Sequence, residues 1–329
     1  MNYNLKINIL FDFQESPYGG GNQFLKALKE QIILNNVYEE NPEKADIILF
    51  NSHHKVKEVI NLKKKFPDKI FIHRIDGPIY KIREADKKTD NIIYKINKHI
   101  ADGTIFQSDW SLKENEKLGF HQFSPFQEII TNAPNPKIFN TKQKSDFNPK
   151  NKIKLIATSW SSNINKGFNI YKYLDNNLDF SKYQMTFIGN SPIKFKNIKH
   201  IKPLKSYELS QKLKEHDIFI TASKNDPCSN SLIEALHCSL PAIALNSGGH
   251  PEIIKKGGLI FNNEEEIIDK INTISLNYNE YQNNIEVSSI KNVSEKYITF
   301  CKNILSQKMN HKYSPKKINF INKILLKFI

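Results

Sequence analysis

A polar run near the middle of the chain has the composition of a ligand-binding site, TASKNDPCSNSLIEALHCSLPAIALNSGGHPEII. Asp226 lies in a predicted loop after a short apolar strand, and Glu234 lies in the second turn of the helix that follows. This helix is predicted to begin with three small polar residues, Ser229, Asn230 and Ser231. Free N–H groups and the positive dipole end at a helix start bind phosphate well, and a carboxylate can accept hydrogen bonds from ribose hydroxyls. The alternative is a loop-capping Asp226 and a solvated Glu234, since acids are common near helix starts.

Two glycine-containing loops elsewhere could also approach a phosphate or a sugar. Gly20 and Gly21 belong to a glycine triplet between the first predicted strand and the first helix, and Gly189 follows another strand in the run FIGNSP. Glycines let the backbone come close to a ligand, although a triplet alone is more often a flexible turn. A third loop, SWSSNINKG, carries Ser161 and Lys166, for which a solvated loop lysine is the alternative.

A further polar cluster follows a strand nearer the N-terminus. His73, Arg74 and Asp76 stand together at the predicted carboxyl end of this strand, where a polar active-site wall is common. A buried, hydrogen-bonded structural histidine is an equal alternative for His73. The pair His53-His54 lacks metal-ligand partners at suitable spacing and is interpreted as a loop feature.

These residues must be positioned by parallel β-sheets, and the hydrophobic pattern predicts two such sheets, one in each domain. Short apolar runs alternate with amphipathic segments through most of the chain, which is typical of parallel sheets covered by helices. The predicted strands are Ile7–Phe13, Asp46–Asn51, Lys69–His73, Gly103–Gln107, Gln127–Thr131, Ile153–Thr158, Gln184–Ile188, Asp217–Thr221, Pro241–Leu245 and Gly257–Phe261. The predicted domains are 1–140, a polar linker 141–152, 153–307 with a returning terminal helix, and a basic tail 308–329.

The run around Asp226 and Glu234 resembles the donor-binding signature of the retaining glycosyltransferases of family 4. These enzymes have the GT-B fold, an α/β architecture of two Rossmann-like domains facing each other across a cleft. In this family two acids separated by seven residues precede a GG-x-x-E turn, as Asp226 and Glu234 precede the turn at residues 248–252. The resemblance implies that Asp226 orients the donor sugar as a catalytic residue and that Glu234 holds the ribose. The first acid is Asp instead of Glu, so it is one methylene shorter.

The loop at residues 159–167 is similar to the family's diphosphate clamp, which combines an Arg with a Lys five residues later. Lys166 matches this Lys, whereas Ser161 occupies the place of the Arg and supplies no charge. Part of the leaving-group stabilisation must therefore come from elsewhere. The resemblance also implies that the donor contacts several other positions, namely Gly20, Gly21, Gly189, Ser229, Asn230 and Ser231. In the first domain it implies that His73 lies near the reacting sugar as a second catalytic residue, with Arg74 and Asp76 on the acceptor side.

The composition favours some classes of binding partner but does not identify one. The net charge of +14 favours anions, and residues 308–329 carry six lysines and no acid. Placed on a helix, Ile318, Ile321, Ile324, Leu325 and Phe328 share one face, so the tail predicts either an anionic membrane surface or docking on the protein itself. No aromatic-basic stacking motif favours nucleic acid. The three cysteines show no disulfide or zinc spacing, and we expect a cytoplasmic protein with membrane association through the tail as an option.

The sequence thus predicts an enzyme that transfers a sugar from a nucleotide-sugar to a glycan, lipid-linked or other hydroxyl acceptor. No D-x-D sequence occurs, so we expect no required metal, and no cofactor besides the donor substrate. Two alternatives are a GT-B sugar-nucleotide epimerase and a non-catalytic module that binds a nucleotide-sugar or a glycan.

Overall fold

A computed structural model describes residues 5–15, 20–83, 87–120 and 124–319. The chain forms two compact units. The first unit contains residues 1–13, 25–131 and 290–329, and the second unit contains residues 14–24 and 132–289. The predicted linker 141–152 is anchored in the second unit, where Phe147 stacks on Tyr278 with 4.0 Å between ring centroids.

The first unit is built on a parallel sheet in the order β1-β2-β3-β4-β5. Its strands are β1 (Ile7–Leu10), β2 (Ile47–Asn51), β3 (Ile70–Ile75), β4 (Gly103–Phe106) and β5 (Phe126–Ile129). Its helices are α1 (Gly20–Leu34), α2 (Val56–Lys65), α3 (Ile79–Arg83), α4 (Lys88–His99), α5 (Asp109–Glu116) and α12 (Ile290–Met309), and the start of α1 counts with the second unit. Every residue of β1 to β4 is buried, because helices cover a parallel sheet on both faces.

The second unit contains a parallel sheet of different strand order, β11-β10-β9-β6-β7-β8. Its strands are β6 (Ile153–Ser159), β7 (Tyr183–Gly189), β8 (Lys199–Ile201), β9 (Ile218–Thr221), β10 (Ala242–Leu245) and β11 (Gly258–Phe261). Its helices are α6 (Phe168–Asn177), α7 (Ser206–Lys214), α8 (Asn230–His237), α9 (His250–Ile254), α10 (Glu266–Leu276) and α11 (Tyr278–Asn283), and a 3-10 turn spans Ile164–Lys166. The chain adds β7 and β8 on one side of β6 and then crosses to β9 on the other. The sheet therefore has its topological switch point between β6 and β9, where ligands bind in open α/β sheets.

The basic tail begins at the end of α12, and its described part docks on the first unit. Residues 310–319 are not helical, so Ile318 does not lie on the amphipathic helix predicted for the tail; residues 320–329, with the rest of its apolar face, lie outside the described residues. The carboxylate of Asp102, fully buried, accepts hydrogen bonds from the Tyr313 hydroxyl at 2.7 Å and the Lys316 N–H at 2.7 Å. The Lys316 ammonium donates to two carbonyls at the end of α4, and Ile318 packs on the core. Within the part of the chain that the structure describes, no helix is long and apolar enough to cross a membrane.

Replacing Tyr313 by Phe is expected to loosen this segment. Asp102 keeps its other donors, including the ammonium of buried Lys63 at 3.1 Å, so the loss is that of one hydrogen bond to a charged group, about 1–2 kcal/mol of unfolding free energy. Urea unfolding measures the loss, and limited proteolysis should cleave the tail sooner. Tyr207→Phe is the control, because Tyr207 is exposed and its substitution should change neither result.

Candidate functional site

A cavity of about 280 Å³ opens at the carboxyl ends of β6, β7 and β9, in the second unit. Polar and charged groups reach it from the loops after β6 and β9, and apolar groups reach it from the segment after β8. Its lining residues are Gly20, Gln23, Thr158, Ser159, Trp160, Ser161, Lys166, Ile188, Gly189, Pro203, Leu204, Ser206, Leu209, Asp226, Cys228, Asn230, Ser231 and Glu234. Eight of the residues predicted from sequence to bind the donor therefore line one cavity: Gly20, Ser161, Lys166, Gly189, Asn230, Ser231, Asp226 and Glu234.

Lys166 and Asp226 form an ion pair in this cavity, with 3.3 Å between Nζ and Oδ2. Both side chains stay partly accessible, at 29% and 18% exposure. Burial acts to raise the pKa of Asp226, but the charge of Lys166, aided by His250 and the N–H of Cys228, outweighs it and holds this pKa below its ordinary value. The Asp226 carboxylate is therefore ionised at neutral pH, and the Lys166 side chain remains accessible to a ligand phosphate.

The loops that carry the pair are tied to one another by backbone contacts. The N–H of Lys224 donates to the carbonyl of Asn165 at 2.7 Å, which joins the β9 loop to the turn before Lys166. Gly248 has φ +63°, and a Cβ there would lie 2.1 Å from the carbonyl oxygen of Asp226. Only glycine fits this close approach, so the turn at residues 248–252 acts as a support beneath Asp226.

Glu234 presents a carboxylate to the same cavity. The side chain is half-buried, and among the described residues it has no hydrogen-bond or ion-pair partner. Burial raises the pKa of Glu234 from 4.5 to about 8, because no donor or cation compensates the desolvated charge. A carboxylate left without partners in a cavity is placed to accept hydrogen bonds from a ligand.

The start of α8 faces this cavity through Asn230 and Ser231. Ser229 is the N-cap residue but its side chain makes no capping hydrogen bond, and its Oγ lies 3.2 Å from the Ser231 Oγ. First-turn N–H groups of α8 are thus left without a side-chain cap, as in helix starts that bind phosphate. Ser229 is buried and does not line the cavity, and a Cβ on Gly20 would lie 2.4 Å from the Asn230 side chain.

Ser161 lines the cavity, but its side chain forms a hydrogen bond within its own loop. Its Oγ accepts a hydrogen bond from the N–H of Asn163 at 3.1 Å, within the loop that leads to Lys166. Lys166 is the only Lys or Arg among the described lining residues. No described residue of the cavity wall therefore replaces the Arg that the resembling family has at this position.

The three candidates in the first unit lie at the end of β3. His73 is fully buried, its Nε2 lies 2.8 Å from the carbonyl oxygen of Ser52, and its ring stacks on Phe50. Burial lowers the pKa of His73 to about 3, so the ring is neutral at physiological pH. This geometry matches the structural histidine that the sequence left as the alternative; the catalytic role stays a prediction without support from these contacts.

Arg74 is also buried, and its guanidinium is engaged within the first unit. Nη1 donates to the side chain of Asn51 at 2.5 Å and to Asp76 at 3.3 Å. Asp76 also accepts a hydrogen bond from the side chain of Gln107 and remains partly accessible, at 29% exposure. Asp76 is therefore the accessible member of this network. The acceptor-side roles of Arg74 and Asp76 stay predictions.

Sequence reasoning missed two residues of the second unit. His250 is fully buried, its Nδ1 donates a hydrogen bond to the Leu245 carbonyl at 2.9 Å, and among the described residues its Nε2 has no hydrogen-bond partner. Burial is the main cause that lowers its pKa. Trp160 lines the cavity and is 45% exposed, and its position directly before Ser161 was the signal that could have drawn attention to it.

The described residues contain no group of three or more His, Cys, Asp or Glu side chains arranged to hold a metal ion. The metal independence of the chemistry stays a prediction.

Comparison with known families identifies the class of this site. Residues 181–290, from β7 to the start of α12, match the model of the family Glycosyl transferases group 1. This segment contains Asp226, Glu234 and the turn at Gly248, but it begins after Lys166 and does not include it. This match confirms the prediction that the protein is a glycosyltransferase. A sequence search of curated proteins finds no match.

Solved structures share the fold along almost the whole chain. Sucrose-phosphate synthase from Thermosynechococcus elongatus aligns with a TM-score of 0.67 at 12% identity, covering 94% of this chain and 100% of that chain. HepE from Anabaena, in complex with UDP-glucose, aligns with a TM-score of 0.65 at 14% identity, covering 93% and 100%. The catalytic domain of starch synthase IV from Arabidopsis thaliana, bound to ADP and acarbose, aligns with a TM-score of 0.62 at 12% identity, covering 88% and 79%. The predicted GT-B fold class is confirmed.

Proposed function

We propose that this protein transfers a sugar from a nucleotide-sugar donor to a hydroxyl acceptor, with retention at the anomeric carbon and without a required metal. The observation that carries the proposal is the convergence of Lys166, Asp226, Glu234 and the start of α8 on one cavity at the switch point of the second sheet. A cation beside unfilled helix N–H groups suits a diphosphate, and two carboxylates suit hydroxyl-rich rings.

Each part of the donor binds to a different one of these groups, and this fixes its orientation in the cavity. The diphosphate lies between the Lys166 ammonium and the α8 amides, the ribose hydroxyls donate to Glu234, and the sugar hydroxyls donate to Asp226. The bond between the anomeric carbon and the diphosphate breaks as the acceptor oxygen attacks this carbon, and the diphosphate leaves with the bonding electrons. The developing charge on the diphosphate is stabilised by Lys166 and the amides, and the acceptor proton passes to the departing phosphate.

The acceptor class is a glycan, a lipid-linked sugar or another hydroxyl compound. Association with an anionic membrane surface through residues 308–329 belongs to the same proposal, because the described half of this tail keeps Lys312 and Lys317 exposed. Liposome pelleting of chains with and without the tail measures this association.

Replacing Asp226 by Asn is expected to lower turnover at least tenfold, because an amide cannot pair with Lys166 or accept from sugar hydroxyls as a carboxylate does. The first readout needs no acceptor. UDP-, GDP- and ADP-sugars are screened for a rise in melting temperature, and the donor that binds is assayed for hydrolysis and transfer. Asp269→Asn is the control, since Asp269 is exposed on α10.

Each rival predicts another outcome. A binding module would raise the melting temperature with donor but show no hydrolysis or transfer, in wild type and variant alike. An epimerase would convert the donor sugar without any acceptor. Equal turnover of the wild type and Asp226→Asn would remove Asp226 from the mechanism.

A further inference from the structure

Trp160 is a partly exposed aromatic side chain at the rim of the cavity. It is 45% exposed, and its indole makes no ring contact or hydrogen bond with the described residues. A tryptophan that is nearly half exposed leaves apolar ring surface in water, and a ligand that covers this surface gains free energy. Since Trp160 lines the cavity, this ligand would be the one that the cavity binds.

The backbone at Trp160 is fixed although its ring is not. The side chain of Asn190 donates to the Trp160 carbonyl at 2.5 Å, and the N–H of Asn190 donates to Ser159 at 3.0 Å. The hydroxyl of Ser159 donates to the carbonyl of Ser161 at 2.7 Å. Gly189 has φ +137°, and a Cβ there would lie 1.8 Å from the Ser159 carbonyl oxygen, so the ends of β6 and β7 meet closely. The indole is thus attached to a rigid rim of the cavity.

The strand order places Trp160 between two chemically different walls. On the β9 side, the cavity is lined by Asp226, Ser231 and Glu234. On the β7 and β8 side it is lined by apolar residues, Ile188, Pro203, Leu204 and Leu209. β6 lies between β9 and β7 in the sheet, and the loop that follows it carries both Trp160 and Lys166. A ligand that fills the cavity would present its charged and hydroxyl-rich groups to the first wall and a flat apolar group to the second.

We propose that the indole of Trp160 stacks on the nucleobase of the donor. The base is the flat part of a nucleotide-sugar, and the apolar wall beyond β6 accepts it while the diphosphate stays at Lys166. This inference rests on the proposed function, because it assigns the base subsite of the same cavity.

Stacking also offsets a shortage of charge in this chain. Only Lys166 supplies a full positive charge to the described wall, since Ser161 stands where the resembling family has an Arg. Stacking of a base on an aromatic side chain typically changes affinity by about tenfold or more. Trp160 therefore gives the nucleotide affinity that the missing guanidinium would otherwise supply.

Tryptophan fluorescence tests the contact directly, because Trp110 and Trp160 are the two tryptophans of the chain. Full-length wild type and Trp160→Phe are titrated with UDP, GDP and ADP, and with inorganic pyrophosphate as the base-free ligand. We expect nucleotides to quench the emission component that Trp160→Phe lacks, and pyrophosphate to leave it unchanged. Trp160→Ala should weaken nucleotide binding about tenfold, Trp160→Phe should weaken it less, and neither should alter pyrophosphate binding.

The outcomes separate this inference from the proposed function. Nucleotides that raise the melting temperature without quenching Trp160, and that bind Trp160→Ala as well as wild type, overturn the stacking contact and leave the donor site standing. No binding of any nucleotide to wild type overturns both. Equal weakening of nucleotide and pyrophosphate binding in Trp160→Ala would show that the substitution disturbs the Lys166 loop, and would also overturn the stacking role.

Discussion

Replacing Lys166 by Gln is expected to lower kcat about 10²–10³-fold while the protein remains folded. The ammonium is the only full positive charge among the described lining residues of the cavity, and negative charge grows on the diphosphate as the sugar departs. Removing one group that stabilises charge in a transition state typically costs this factor. Glutamine keeps most of the length of the side chain and a hydrogen-bond donor, so the effect reports on the charge.

The matched control is Lys224→Gln. Lys224 lies in the neighbouring loop after β9 and is exposed, and only its backbone N–H takes part in the contact with Asn165. It changes the net charge of the protein equally, so a general electrostatic effect on donor association would appear in both variants. Single-turnover kinetics with saturating donor separates the chemical step from binding. A kcat for Lys166→Gln within a few-fold of wild type would show that the amides at the start of α8 stabilise the diphosphate alone.

A further consequence concerns Asp226. Its carboxylate loses its ion-pair partner in Lys166→Gln while burial continues to act against its charge. The pKa of Asp226 should therefore rise, and the acid limb of the pH–rate profile should move to higher pH. Lys224→Gln should leave this limb in place.

The fold of each unit was largely predictable because the apolar runs of parallel strands are almost continuous. Ile218–Thr221 and Ala242–Leu245 are fully buried, and both were predicted within one or two residues from composition alone. α3 was missed because it is a single short turn whose start is set by a distant residue. The carboxylate of Asp90 accepts hydrogen bonds from the N–H groups of Ile79 and Tyr80, and no local pattern reveals this contact.

The polar wall of the cavity was predictable from spacing, whereas the apolar wall was not. Asp226 and Glu234 lie on a loop and a helix that adjoin in sequence, so their meeting follows from local structure. Leu204 follows β8 and belongs to no motif, and Trp160 lies in the loop after β6, where only its neighbours Ser161 and Lys166 were matched to a motif. Both line one cavity because β7 and then β8 follow β6 in the strand order of the sheet.

His73 shows the limit of inference from position along a strand. A histidine near the carboxyl end of a strand can point toward the ligand or into the layer between sheet and helix. His73 points inward, where it contacts Phe50, Ser52 and the side chain of Asn97 at 3.4 Å. Alternation along a strand fixes which face a side chain occupies, but the sequence does not show which face carries the chemistry.

Replacing Glu234 by Gln is expected to stabilise the ligand-free protein at pH 8 and to weaken donor binding. The pKa of Glu234 is raised from 4.5 to about 8, so the folded state holds a proton that the unfolded state has released between these pH values. The stability of the wild type therefore falls as pH rises from about 4.5 to about 8, and the contribution levels off above that. Glutamine resembles the protonated acid in shape and does not titrate, so the variant lacks this fall.

The difference in unfolding free energy between the wild type and Glu234→Gln reports on Glu234 alone, because all other titrating groups are the same in both proteins. The pKa shift corresponds to at most about 5 kcal/mol, and the partial exposure of the side chain reduces it, so we expect the variant to be about 2–3 kcal/mol more stable at pH 8. The difference should approach zero near pH 4.5. Urea unfolding at a series of pH values measures it, and Glu265→Gln, at an exposed position before α10, should follow the wild type.

Glu234→Gln should stabilise the protein but lower its affinity for the donor, because hydrogen bonds from ribose hydroxyls favour the charged carboxylate. We expect Glu234→Gln to bind the nucleotide about 10–100-fold more weakly, the usual effect of losing hydrogen bonds to a charged group. Binding to the wild type at pH 7 should release protons, which calorimetry in buffers of different ionisation enthalpy detects, and the variant should release fewer. A stability difference that does not change with pH would mean that Glu234 is already ionised without ligand. Its carboxylate would then be solvated in the open cavity, and the ribose contact would gain nothing from the burial that the structure shows.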